Sequence, residues 1–184
     1  MAKRTRNMAV AAMAAAVLGT PNISAAADAM AVNAATPVSH VRSNNPQLVA
    51  LIQTATDRSA TFRNIVETIN ASDSFVFVEQ GDCGRGVRAC FVTVNASATY
   101  RYLRVIVDTR KADWDLMGSI GHELRHTLEV IGNPHIRDNA AKYFLYEQIG
   151  MHSGPKSRET RVAIDAGNMV RSEVRQFNRL SKSE

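Results

Sequence analysis

Cysteine is almost absent from this chain of 184 residues: Cys83 and Cys90 are the only two. Two thiols leave a thiolate metal centre short of ligands. Their short spacer, Gly84-Arg85-Gly86-Val87-Arg88-Ala89, fits a disulfide formed in an oxidising compartment, pinning the tip of a β-hairpin. No apolar run is long enough to act as a stable membrane anchor. The run from Met8 to Leu18 falls short of a bilayer span, and no cysteine follows it to carry a lipid. Basic residues are scattered and not interleaved with aromatics, which argues against a nucleic-acid partner. No internal repeat and no shift in composition marks a second domain.

The first 27 residues read as a signal peptide. Lys3, Arg4 and Arg6 form a basic start, Met8 to Leu18 an alanine-rich apolar stretch, and Ala25-Ala26-Ala27 an A-x-A cleavage site. The expected destination is the bacterial periplasm or beyond. Removing 27 of 184 residues leaves 157, enough for one domain with its own core. The leader holds three of the 22 basic residues and none of the 17 acidic ones, so the net charge falls from +5 to about +2.

The densest signal is His122-Glu123-Leu124-Arg125-His126, an H-E-x-x-H string. On a helix, residues four apart project from one side, one turn apart, as two nitrogen ligands of one Zn²⁺ require. Glu123 is then placed to take the proton of a water held at the metal. Ala112 to Ile131 contains no proline and reads as one helix, with Asp113 as N-cap, Asp115 in the first turn, and Gly132-Asn133-Pro134 as its end. Met117, Ile120, Leu124, Leu128 and Ile131 make an apolar stripe. His122, His126 and Glu129 fall about 120–180° away on the wheel, on a face expected to line a cleft. Trp114 is read as a core anchor.

Around this helix the elements sort by periodicity. Residues 28–43 lack a pattern and are expected to be flexible; 44–184 form the domain. Pro46 opens a helix through about Arg58. Ser59 caps a second through about Ile69, with Phe62, Ile65, Val66 and Ile69 inward. Ser74–Gln80, Cys90–Asn95 and Arg101–Asp108 are β-branched and aromatic runs, expected to form a three-stranded antiparallel meander. Arg137–Ile149 is a further helix, 150–155 a loop, and Ser157 to about Phe177 the last helix. The fold class is α+β.

A small sheet, then a helix with H-E-x-x-H, then C-terminal helices: residues 122–126, with this order over roughly 74–177, resemble the zincin metallopeptidases. The resemblance implies His122 and His126 as zinc ligands, Glu123 as general base, and an edge strand that pairs with an extended peptide substrate. Metzincins carry a glycine three residues and a histidine six residues past the motif. Glu129 and Gly132 stand there, so the gluzincin subgroup, whose third ligand is a Glu on a later helix, fits better.

Three glutamates compete for that role. Glu159 is favoured as a carboxylate among Val162, Ala163, Ala166 and Val170 on the inner face of the last helix, where an unpaired charge should not persist. Glu147, beside Tyr143 and Phe144, is the second choice. Glu129 is expected to accept a hydrogen bond from a ligand histidine. His152, Tyr143 and Tyr146 are candidate donors to a developing oxyanion, with core packing the plainer role for the tyrosines. The expected activity is zinc-dependent peptide hydrolysis; the contrasting expectation is a non-catalytic exported module that keeps a zinc site.

Overall fold

In the computed structural model, the described residues are 39–84, 86–154 and 157–183; for 152–154, 157 and 158 only the backbone is described. The expected signal peptide, and residues 28–38 of the expected flexible segment, lie outside them. That segment is ordered at its end. Val41–Arg42 forms strand β1, parallel to the next strand, with Val41 buried.

Helix α1, Pro46–Arg58, starts where Asn45 accepts from the N–H groups of Gln47 and Leu48 and proline takes the first helical position. Ser59 ends α1 and caps α2, Ala60–Asn70, accepting from Phe62 N. Phe62, Ile65, Val66 and Ile69 are all buried. Strands β2 (Ser74–Gln80), β3 (Ala89–Ala96) and β4 (Arg101–Val107) fall on the three apolar runs.

Their pairing is not the expected meander. The order is β1-β2-β4-β3, with β2 parallel to β4 and β3 antiparallel to β4 at the edge. Leu103, Val105, Ile106 and Val107 make β4 the strand with the most continuous burial, and such a strand belongs at the centre of a sheet. The bond between Cys83 and Cys90 is formed, but it ties the β2–β3 connection rather than a hairpin tip, because β4 separates those strands. Val76, Val78, Leu103, Val105 and Val107 are buried, while the alternate Tyr102 and Arg104 are exposed.

Helix α3, Trp114–Ile131, is capped by Asp113 through Leu116 N. Met117, Ile120 and Leu124 enter the core; Leu128 and Ile131 pack against it, partly buried. Helix α4 is Asn139–Ile149, capped by Asp138. The expected loop at 150–155 includes strand β5, Met151–Gly154, which pairs antiparallel with β6, Ser157–Glu159. The last helix, α5, therefore begins at Arg161, not Ser157, with Thr160 as its N-cap, and runs to Leu180. The class is α+β, a small mixed sheet with five helices among the described residues.

Two contacts position α3. Its C-terminal carbonyls meet Arg101, almost wholly buried, whose guanidinium donates to the oxygens of Val130 (2.8 Å), Ile131 (3.0 Å) and Asn133 (3.2 Å) and pairs with Asp73 at 2.6 Å. Its polar side crosses α5 on glycines. A Cβ at Gly118 would collide with the Arg171 stem and lie 2.9 Å from the Gly167 oxygen. One at Gly167 would lie 3.0 Å from both the Gly118 oxygen and the His122 Cβ.

Candidate metal centre

The side of α3 expected to line an open cleft is largely covered. His126 is buried, and the side chains of His122 and Glu123 keep only 17% and 13% of their exposure. α5 closes over this face where the glycines let the two backbones approach. Glu159, at the end of β6, reaches the same place.

His122 Nε2 lies 2.7 Å and His126 Nε2 3.3 Å from Glu159 Oε2. The three potential ligand atoms all fall within 4.8 Å of one another. Two ligands about 2.0–2.1 Å from a tetrahedral ion sit about 3.3 Å apart, so holding one needs only a small readjustment, with the His122–Glu159 pair opening from 2.7 Å. This group of two imidazoles and a carboxylate can hold a metal ion. No other set of three such groups occurs among the described residues.

Glu159, expected on the inner face of the last helix, does not lie on a helix. It belongs to β6, its side chain is 37% exposed, and Val162 is exposed. What brings it to the histidines is the β5–β6 hairpin and the turn into α5. The hydrogen bonds from His122 and His126 hold its carboxyl well below the usual carboxylate range. Glu147 is not part of the cluster, and the neighbours that placed it inward, Tyr143 and Phe144, are themselves exposed.

Glu129 takes the position expected of it. Its Oε2 meets His126 Nδ1 at 2.8 Å, and its Oε1 accepts from the Thr160 hydroxyl at 2.5 Å. Thr160 thus caps α5 and fastens Glu129 at once. Burial works against ionising Glu129, but the His126 and Thr160 hydrogen bonds outweigh it and lower its pKa. Burial likewise opposes the charged form of His126, yet its hydrogen bonds to Glu129 and Glu159 raise its pKa to about 9.

Glu123 is half-buried, and desolvation raises its pKa. Its Oε2 accepts from the Phe91 N–H at 2.8 Å, and its Oε1 lies 3.8 Å from His122 Nε2. Lys142 donates from Nζ to the Val92 carbonyl at 2.6 Å, and burial lowers its pKa to about 8. Asn139 Oδ1 accepts from Val94 N at 2.9 Å. Side chains of α3 and α4 therefore already occupy several backbone groups along β3, the edge strand.

Neither tyrosine among the expected oxyanion donors serves the cluster in that way. The Tyr146 hydroxyl is buried and donates to the His126 carbonyl at 2.9 Å, its ring edge-on to His126, so its place is structural. Tyr143 is exposed, and the His152 side chain lies outside the described ones. Sequence reasoning overlooked Arg88, Asp115, Ser119 and Arg171. With His122 and Glu123 they line a hollow of about 310 Å³ bounded by Gly86 and Ala89 of the disulfide-tied connection. The overlooked signal was Arg171, one of three arginines spaced by four on α5.

No helix among the described residues is long and apolar enough to cross a membrane, and the disulfide fits an extracytoplasmic location. No protein-family model, no curated protein and no solved structure matches the chain.

Proposed function

We propose that the protein is an exported zinc-dependent peptidase of gluzincin type, with His122, His126 and Glu159 as ligands and Glu123 as general base. The observation that carries this reading is the convergence of His122 Nε2, His126 Nε2 and Glu159 Oε2 beside the Glu123 carboxylate. The donor set suits Zn²⁺: two imidazoles and one carboxylate, with no fourth such protein group in the cluster among the described residues. Zn²⁺ there would supply a Lewis acid and lower the pKa of water.

The chain's own groups do the rest. Glu129 orients His126 through Nδ1, leaving Nε2 toward Glu159. Glu123, anchored by Phe91 N, keeps Oε1 toward His122. Its burial raises its proton affinity. The substrate is a peptide or protein, entering from the hollow beside Arg88 and Arg171.

Metal analysis of the purified protein should find about one Zn²⁺ per chain. Cleavage of a peptide library by the parent protein, abolished in Glu123→Gln with the zinc retained, is the expected result. Equal cleavage by Glu123→Gln would sink the assignment. The second reading, a non-catalytic module with a zinc site, draws on the occupied β3 edge, where an extended substrate would otherwise add a strand. A site closed to water and no cleavage of any peptide would select it.

A further inference from the structure

A second hollow adjoins the first. It measures about 380 Å³, is lined by Trp114, Asn168, Arg175 and Arg179, and shares Asp115 and Arg171 with the hollow at His122 and Glu123. Arg171, Arg175 and Arg179 recur every fourth residue of α5, so they lie on one face, about 6 Å apart along the axis. The charge on Arg171 is met locally: Nε donates to Asp115 Oδ1 at 2.7 Å and Nη2 to Ser119 Oγ at 3.0 Å. Arg175 and Arg179 are exposed and make no ion pair among the described residues. The nearby acid of this helix, Glu173, faces away, accepting from the Ser59 and Thr61 hydroxyls. The Arg175 guanidinium lies 4.7 Å above the ring of Trp114, which is not the expected core anchor but 37% exposed.

We propose that this arginine strip binds an acidic stretch of polypeptide and continues the substrate groove away from the metal cluster. The proposal rests on the peptidase reading for the word substrate, and on charge and geometry for the binding. An extended peptide presents one side chain in two to the same face, about 6.8 Å apart. That repeat is close to the arginine spacing. Asp or Glu at alternate positions therefore meets Arg175 and Arg179 in turn, in the bidentate geometry a guanidinium offers a carboxylate. Nucleic acid fits less well. Arg175 already covers a face of the only tryptophan, where a base would stack, and Asp115 cancels one of the three charges.

The test is fluorescence anisotropy on the zinc-loaded Glu123→Gln full chain. The probes are a labelled peptide with Asp at alternate positions, its Asn counterpart, and a single-stranded oligonucleotide. The Asp peptide should bind, and bind less as salt is raised, while the Asn peptide should not. Arg175→Gln with Arg179→Gln should weaken binding about tenfold; the paired Lys replacements should keep most of it. Equal binding of the Asn peptide, an unaltered double Gln variant, or an oligonucleotide that binds where the Asp peptide does not would each overturn the strip. Catalysis is read separately, in the parent background. If the acidic peptide binds through the arginines but no peptide is cleaved, the peptidase reading fails and the binding surface stands. If peptides are cleaved and the double Gln variant keeps the parent KM for the acidic one, the strip fails alone.

Discussion

At the scale of single residues, the cluster holds its histidines by different means. His126 is gripped at Nδ1 by Glu129, which Thr160 holds in turn; His122 meets Glu159 alone at short range. Without a metal, both imidazoles share the Glu159 carboxylate, and His126 keeps its proton up to a pKa of about 9. A metal must displace that proton. Its apparent affinity should therefore rise as pH is raised from 6 toward 9, because less proton competition remains. Chelator competition across that range reads this directly; an affinity that is flat or falls with pH contradicts it. His122→Ala, His126→Ala and Glu159→Ala should each remove stoichiometric zinc. Glu129→Ala should weaken it about 10–100-fold, and Glu147→Ala should leave it nearly unchanged. Metal loss in Glu147→Ala with retention in Glu159→Ala would reverse the ligand assignment.

At the scale of elements, α3 is held at its C-terminus and along its crossing with α5. Arg101 donates to three carbonyls at and just past the end of α3, two of which also accept from the Asn133 and Ile136 N–H groups, and Asp73 balances its charge. Arg101→Ala should cost about 2 kcal/mol in urea unfolding, since it removes the donor at the Ile131 carbonyl and leaves Asp73 without its partner. A loss below one third of that would show the network to be dispensable. Burial disfavours the charged form of Asp73, but its hydrogen bonds with Arg101 and Ser74 win and lower its pKa below 3.8. A lowered carboxylate pKa stabilises above the unfolded value. This contribution should be intact at neutral pH and vanish as pH drops through the folded pKa. Gly118→Ala should cost about 1–3 kcal/mol through overpacking and should also weaken metal binding, because Glu159 enters the cluster from the segment leading into α5.

These elements also mark the limits of what the sequence shows. The extents of α1, α2, β2 and β4 are legible in the sequence because their signals are local: caps, a first-turn proline, β-branched and aromatic runs bounded by turn residues. Strand order is not, since pairing depends on where β4 inserts, and nothing in the residues of β2 or β3 announces it. The start of α5 is not legible because Ser157 and Thr160 can both cap a helix; the β5–β6 hairpin decides for Thr160. Glu159 meets the histidines through that hairpin, not from an inner helical face.

At the scale of the whole molecule, the question is whether the metal builds the fold or only occupies it. Buried apolar residues run without a break from Val41 in β1 to Val174 in α5, drawing on every helix and the four-stranded sheet. The disulfide adds a covalent tie at the cleft wall, and thiol titration of the unfolded, unreduced protein should find no free thiol. The cluster lies at the margin of this core, with Glu159 partly in solvent. A fold that owed its existence to zinc would place the ion among too few apolar contacts to fold without it. Here the contacts suffice, so chelation should leave far-UV circular dichroism and the cooperative transition intact. It should lower Tm only by the linkage term. At metal one hundred times its Kd that term is about 2.7 kcal/mol, or roughly 5–10 °C for a domain of this size. Adding Zn²⁺ back should restore Tm in the parent but not in Glu159→Ala. Collapse of secondary structure on chelation would instead mark the ion as structural and favour the non-catalytic reading.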